Sequence, residues 1–192
     1  MLNKTAEQYY NQGIELEKLS EYKLALEKYK KSIEVDENFA KGHFGVAEIS
    51  SCLLHDHIKS IKHYMRAIEL DKNYIDAWFN LMLEFNDLAK GPFGDHLKLQ
   101  KEEDSYWEAC ELTTTFKKHD EAIKKLEEAI KMNQNSVLSY ARIGWIYQEQ
   151  KKNHAKAIEY YKKAIEKFIF LMPDKLASRL DIYTSHFTKI LH

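Results

Sequence analysis

The stretch Tyr22-Lys-Leu-Ala-Leu-Glu-Lys-Tyr-Lys-Lys-Ser-Ile-Glu-Val-Asp-Glu-Asn38 decides how the whole chain is read. It holds a small residue, an aromatic residue or Leu four later, a second small residue three after that, and then Ile: Ala25, Tyr29, Ser32, Ile33. The same frame returns as Ser60, Tyr64, Ala67, Ile68, as Ala122, Leu126, Ala129, Ile130, and as Ala157, Tyr161, Ala164, Ile165. The shared offsets of 4, 7 and 8 put the four side chains of each copy on one stripe of a helix.

Spacing carries the next step. Ala25 to Ser60 is 35 residues, Ser60 to Ala122 is 62, and Ala122 to Ala157 is 35, so one irregular copy is implied in the long gap. A partner helix precedes each copy, with small residues at Gly13, Ala47, Cys110 and Gly144 where two helices approach closely, and Met82 departs from that slot. A period near 34 with two helices per unit marks a stack in which each unit buries its apolar face against its neighbours. Turn-forming clusters, Asp36-Glu37-Asn38, Asp71-Lys72-Asn73 and Asn133-Gln134-Asn135, close the recurring helices.

Over roughly residues 5–170 this pattern resembles the tetratricopeptide repeat (TPR) family, though the family commonly has a proline where this chain has those turn clusters. The resemblance implies an all-α fold, a right-handed superhelical solenoid of antiparallel helix pairs, with about five units and a C-terminal capping helix. The units are expected at about 5–39, 40–74, an irregular 75–102, 103–136 and 137–171, with the cap at 174–191, all in a single domain, 1–192. Gly91-Pro92-Phe93-Gly94 breaks the third unit, leaving either a short helix at 95–102 or one long helix reaching Thr115. The extra residue in the two 35-residue spacings is placed near Leu54–His57 and near Lys152–Asn153. Leu176, Leu180, Tyr183, Phe187 and Ile190 form one apolar stripe, read as a cap or as a self-association surface.

Composition narrows the functional classes. The 192 residues are 31% charged with a net charge of −1, two prolines and six glycines, which suits helices and offers no global field for nucleic acid or an acidic membrane. The absence of a signal-like or membrane-length apolar run gives a cytoplasmic expectation, with Cys52 and Cys110 expected as reduced packing residues. Lysine pairs such as Lys30-Lys31 are read as a solvated face, with Glu27–Lys31, Glu121–Lys125 and Glu159–Lys163 as i, i+4 partners. His55-Asp56-His57 is read as a polar turn, since i and i+2 diverge on a helix; no metal, cofactor or catalytic residue is expected, and no enzyme.

What remains is a protein-interaction scaffold or adaptor. The resemblance implies a concave groove lined by the first helix of each unit, here Tyr10, Ile14, Phe44, Glu48, Phe79, Asn80, Leu83, Trp107, Glu111, Ala141, Arg142 and Trp145. Acids outnumber bases along that face, so the expected partner is a protein or peptide with apolar and basic residues, bound without nucleic acid or membrane. Glu48, Asp76, Asp104 and Glu108 stand where relatives that clamp a terminal carboxylate place cationic or amide side chains, so such a peptide end is expected to be repelled. The alternative is a self-assembling structural protein joined by its C-terminal helix, with a weak homodimer as one outcome.

Overall fold

Residues 5–90, 104–172 and 178 of the chain are described in the computed structural model, and every regular element among them is helical. In chain order these are α1 (Ala6–Lys18), α2 (Tyr22–Val35), α3 (Ala40–Cys52), α4 (His57–Leu70), α5 (Ile75–Lys90), α6 (Asp104–Thr114), α7 (His119–Met132), α8 (Val137–Trp145), continued by a π-helical turn Ile146–Gln150, and α9 (His154–Leu171). The short helix expected at 95–102 and the C-terminal helix at 174–191 fall outside the described residues, as do the side chains of Asn86, Ala89, Lys90, Asp104, Ser105 and Trp107.

Two turn designs alternate along the chain, and each follows from local chemistry. After the first helix of a pair, one non-glycine residue takes the left-handed conformation: Ser20, His55, Lys117 and Lys152. Each stands five residues ahead of the first small residue of the recurring frame, so turn and frame keep one register. After the second helix, Asp36, Asp71 and Asn133 each turn a side-chain oxygen onto the backbone N–H two residues on, at 3.0, 2.9 and 3.0 Å. This Asx turn replaces the helical continuation that a proline would forbid outright.

The frame itself is core. Ala25, Tyr29 and Ser32, then Ser60, Tyr64, Ala67 and Ile68, then Ala122, Leu126 and Ala129, then Ala157, Tyr161, Ala164 and Ile165 are all buried. Close approach explains the small slots facing it. A Cβ on Gly13 of α1 would meet the Tyr29 ring at 2.3 Å and one on Gly45 of α3 would meet it at 2.8 Å, so that ring is held between two glycines. Gly144 takes the same position against Tyr161. Tyr161 Oη also donates to buried Gln148 at 2.8 Å, and Tyr29 Oη donates to Glu17 at 2.7 Å.

The extra residue of the last pair lies elsewhere than the expected turn. It is taken up one turn earlier by the π-helical stretch Ile146–Gln150, where wider i→i+5 bonding absorbs one residue without breaking the helix. The surface lysines also choose other partners than expected: Lys31 bonds Glu34 at 2.7 Å, Lys125 reaches Glu108 on α6 at 3.3 Å, and Glu121 pairs with Lys118 at 3.1 Å. Of the three expected pairs, Lys163–Glu159, at 2.6 Å, keeps the i, i+4 form. Cys52 is exposed and not a packing residue, because it sits on the last turn of α3; Cys110 is half-buried, and both are free thiols.

The chain divides into two compact units, Met1–Glu84 and Phe85–Ser178. In the first, α1–α2 and α3–α4 are packed pairs whose core joins Ala25, Tyr29, Val46 and Ile49. In the second, α6–α7 and α8–α9 pair around Ala109, Ala122, Leu126, Ile143 and Ile146. There the Phe85 ring stacks on Phe168 with centroids 4.8 Å apart, so the last turns of the 18-residue α9 pack against α5. No helix among the described residues is long and apolar enough to cross a membrane.

Candidate functional site

In the first unit, the first helices of the pairs bring Tyr10, Ile14 and Glu17 of α1 beside Phe44 and Glu48 of α3. The start of α5 adds Asp76 and Asn80. Phe44, placed in the groove by its sequence position, is buried: it stacks on Tyr74 at 4.8 Å and meets Tyr64 edge-on at 5.6 Å. A buried ring packed by two others is core material, and only its neighbours are left to offer contacts. Tyr10 and Ile14 stay half-buried, Tyr10 packing on Tyr29 at 5.4 Å and edge-on against Phe39 at 5.7 Å.

Glu48 is the electrostatic centre of this face. Burial first, and then the neighbouring carboxylates of Glu17 and Asp76, push its carboxyl up to about 7. It has no ion pair among the described residues, whereas Glu7 is answered by Lys41 at 3.4 Å and Glu17 accepts the Tyr29 hydroxyl. Tyr10, Tyr64 and Tyr74 feel the same negative field and are all raised, burial being the main cause in each. The Asn80 side chain near Tyr64 and the Tyr74 hydroxyl near Tyr10 act the other way and temper the rise.

Further along α5, Phe79 is half-buried and Leu83 is exposed. In the second unit, Ala141 is buried, Glu111 is exposed, and the Arg142 guanidinium lies over the Trp145 ring at 4.6 Å. The expected anchor Trp107 lies on α6, with its side chain outside the described residues.

One buried charge was not visible in the periodicity. Glu84, 3% exposed, accepts from His57 Nδ1 at 2.9 Å, so the His55-Asp56-His57 stretch does more than turn the chain. Asp56 caps α4 through the Lys59 N–H at 3.1 Å while His57 satisfies a carboxylate on α5. A second histidine pair joins α3 to α4. His43 Nε2 lies 3.1 Å from the Glu37 carbonyl oxygen and must donate to it, which leaves His43 Nδ1 bare to accept from His63 Nδ1 at 3.1 Å. Among the described residues no group of three His, Cys, Asp or Glu side chains is placed to hold a metal ion.

Comparison with known proteins finds similarity to one repeat model and to two solved structures. A crystal structure of MamA is similar at 22% identity and a TM-score of 0.42, over 84% of this chain and 77% of that one. One of YrrB, described as a TPR protein with an unusual peptide-binding site, is similar at 20% identity and a TM-score of 0.42, over 88% and 87%. No curated protein matches the chain. The tetratricopeptide repeat model matches residues 137–166, the α8–α9 pair. The buried frame and turns of that pair recur in α1–α2, α3–α4 and α6–α7, so the pair that is similar to the tetratricopeptide repeat is one of four built alike among the described residues.

Proposed function

We propose that this protein is an interaction scaffold whose first unit holds a segment of a partner protein carrying basic and apolar residues. The observation that carries this is Glu48, a half-buried carboxyl with Glu17 and Asp76 near it and no cation of its own. A Lys or Arg side chain brought there would supply the missing charge, and desolvation makes such a contact stronger than one on an open surface. Tyr10, Ile14, Phe79 and Leu83 offer apolar contact around it, and the Asn80 amide can serve an extended backbone. Arg142 over Trp145, with Trp107 and Glu111 on α6, is a candidate second contact region, on the other unit.

Labelled peptides test the idea. A peptide alternating Lys or Arg with Leu or Phe is expected to bind with an affinity on the order of micromolar, weakening as salt is added, while the same peptide with Glu for its bases does not bind. Glu48→Gln is expected to lower that affinity about tenfold, equal to about 1.4 kcal/mol. Unchanged binding by Glu48→Gln, or equal binding of the acidic peptide, would defeat the proposal.

A further inference from the structure

A different face of the first unit, where the turn after α1 meets the end of α3, holds an apolar groove of about 380 Å³. Leu26 and Ile49 form its floor, and Tyr22, Leu53 and Leu54 stand exposed along its walls at 39%, 42% and 53%. Large, mainly apolar side chains this exposed are ordinary when scattered, but here they flank one concavity. Its rim carries two opposite charges, Glu21 and Lys23, both exposed and neither engaged in an ion pair or side-chain hydrogen bond among the described residues. Glu21 is the N-cap residue of α2, yet its side chain makes no capping bond.

We propose that this groove is the contact through which two copies of the chain associate about a two-fold axis. In such a contact each residue meets its reciprocal, so a patch must complement itself. Leu54 of each copy can enter the other's groove, and the paired signs on the rim let Glu21 of one copy face Lys23 of the other, twice. The net charge of −1 leaves little long-range repulsion between copies to oppose this. The patch is small, so the association is weak and concentration-dependent. It is distinct from the face around Glu48 and stands or falls independently of the ligand proposed there.

Sedimentation velocity of the full chain at concentrations rising to about 1 mM is the test, the range in which weak contacts populate. Wild type is expected to shift from monomer toward dimer. Leu54→Glu is expected to remain monomeric with unchanged helical circular dichroism, its side chain being exposed in the single copy. Glu21→Lys and Lys23→Glu should each weaken association about tenfold by setting like charges face to face. The double variant Glu21→Lys/Lys23→Glu should restore it, because the signs are exchanged on both sides of the axis. A wild type that stays monomeric throughout, association untouched by Leu54→Glu, or a double variant no better than the single ones would each overturn the proposal; the last two would point to a different surface or to another occupant of the groove.

Discussion

Phe85 and Phe168 lie ring on ring, with centroids 4.8 Å apart and planes 28° from parallel, although one belongs to the interrupted third repeat and the other to the end of the last. The frame predicts a second helix for the third unit, immediately downstream of α5. That stretch lies outside the described residues; the end of α5 meets α9, which runs for 18 residues where α2, α4 and α7 have 14. Both rings are 1% exposed, so Phe168→Ala removes an aromatic ring from a closed core. The expected loss is about 3–5 kcal/mol, read as a lower urea midpoint. Phe85→Ala should cost a similar amount, and the double variant less than the sum, since the two rings share one contact. Strict additivity would argue against the stack.

The left-handed residue in each first turn carries a side chain where glycine would be at ease. Lys117, with φ 53° and no ion pair among the described residues, is the cleanest position to test. Lys117→Gly is expected to raise stability by about 0.5–1 kcal/mol through relief of the left-handed strain, net of the added freedom of the unfolded chain. A fall in the thermal midpoint would show that the strain is negligible there.

His57 and Glu84 give a prediction of opposite sign. Cutting His57 to Ala leaves a carboxylate that is 3% exposed without its partner, with an expected cost of about 2–4 kcal/mol. Adding Glu84→Leu to that variant should recover most of the loss, because the unpaired charge and not the missing imidazole is the penalty. Thermal melts of both variants decide it, and a double variant as unstable as His57→Ala rejects the argument.

Glu48 and His63 make opposed contributions to the pH dependence of the first unit. Burial, with Glu17 and Asp76, holds the Glu48 carboxyl at about 7, so the folded state keeps its proton where the unfolded chain, titrating near 4.5, has lost it. Its stabilising effect is therefore complete at acid pH and lost as pH rises from about 4.5 to 7. His63 is lowered to about 4, by burial and then by His43, Lys59 and Lys30, and its contribution is lost as pH falls from about 6.5 to 4. The two largely offset each other in wild type. Glu48→Gln removes one of them, so its stability relative to wild type should rise by about 1–3 kcal/mol between pH 4.5 and pH 8, after allowance for solvent screening. A difference that stays flat in denaturant titrations across that range would contradict the assignment.

Which parts of this structure were legible in the sequence depends on what periodicity can encode. A single stripe, such as Ala25–Tyr29–Ser32, names the one buried face of a second helix, and those faces are buried. A first helix packs on two sides at once, so its aromatic residues do not declare which side they serve. Phe44 and Phe79 look alike in sequence, yet Phe44 is buried and Phe79 is half-buried. Long-range pairings leave even less trace: nothing near Glu84 announces His57, and nothing near Phe85 announces Phe168. The π-helical turn was visible only as one surplus residue, and nothing in the periodicity marks Ile146–Gln150, where Gln148 accepts from Tyr161, as the place that absorbs it.

Cys52 lies one helical turn beyond Glu48 on α3, exposed to solvent, while the other thiol, Cys110, is half-buried. A maleimide dye should therefore couple first at Cys52 without any engineered cysteine, placing a reporter on the same helical face as Glu48. The unmodified chain thus brings its own fluorophore attachment point, and a change of emission on adding a cationic peptide would register occupancy in real time.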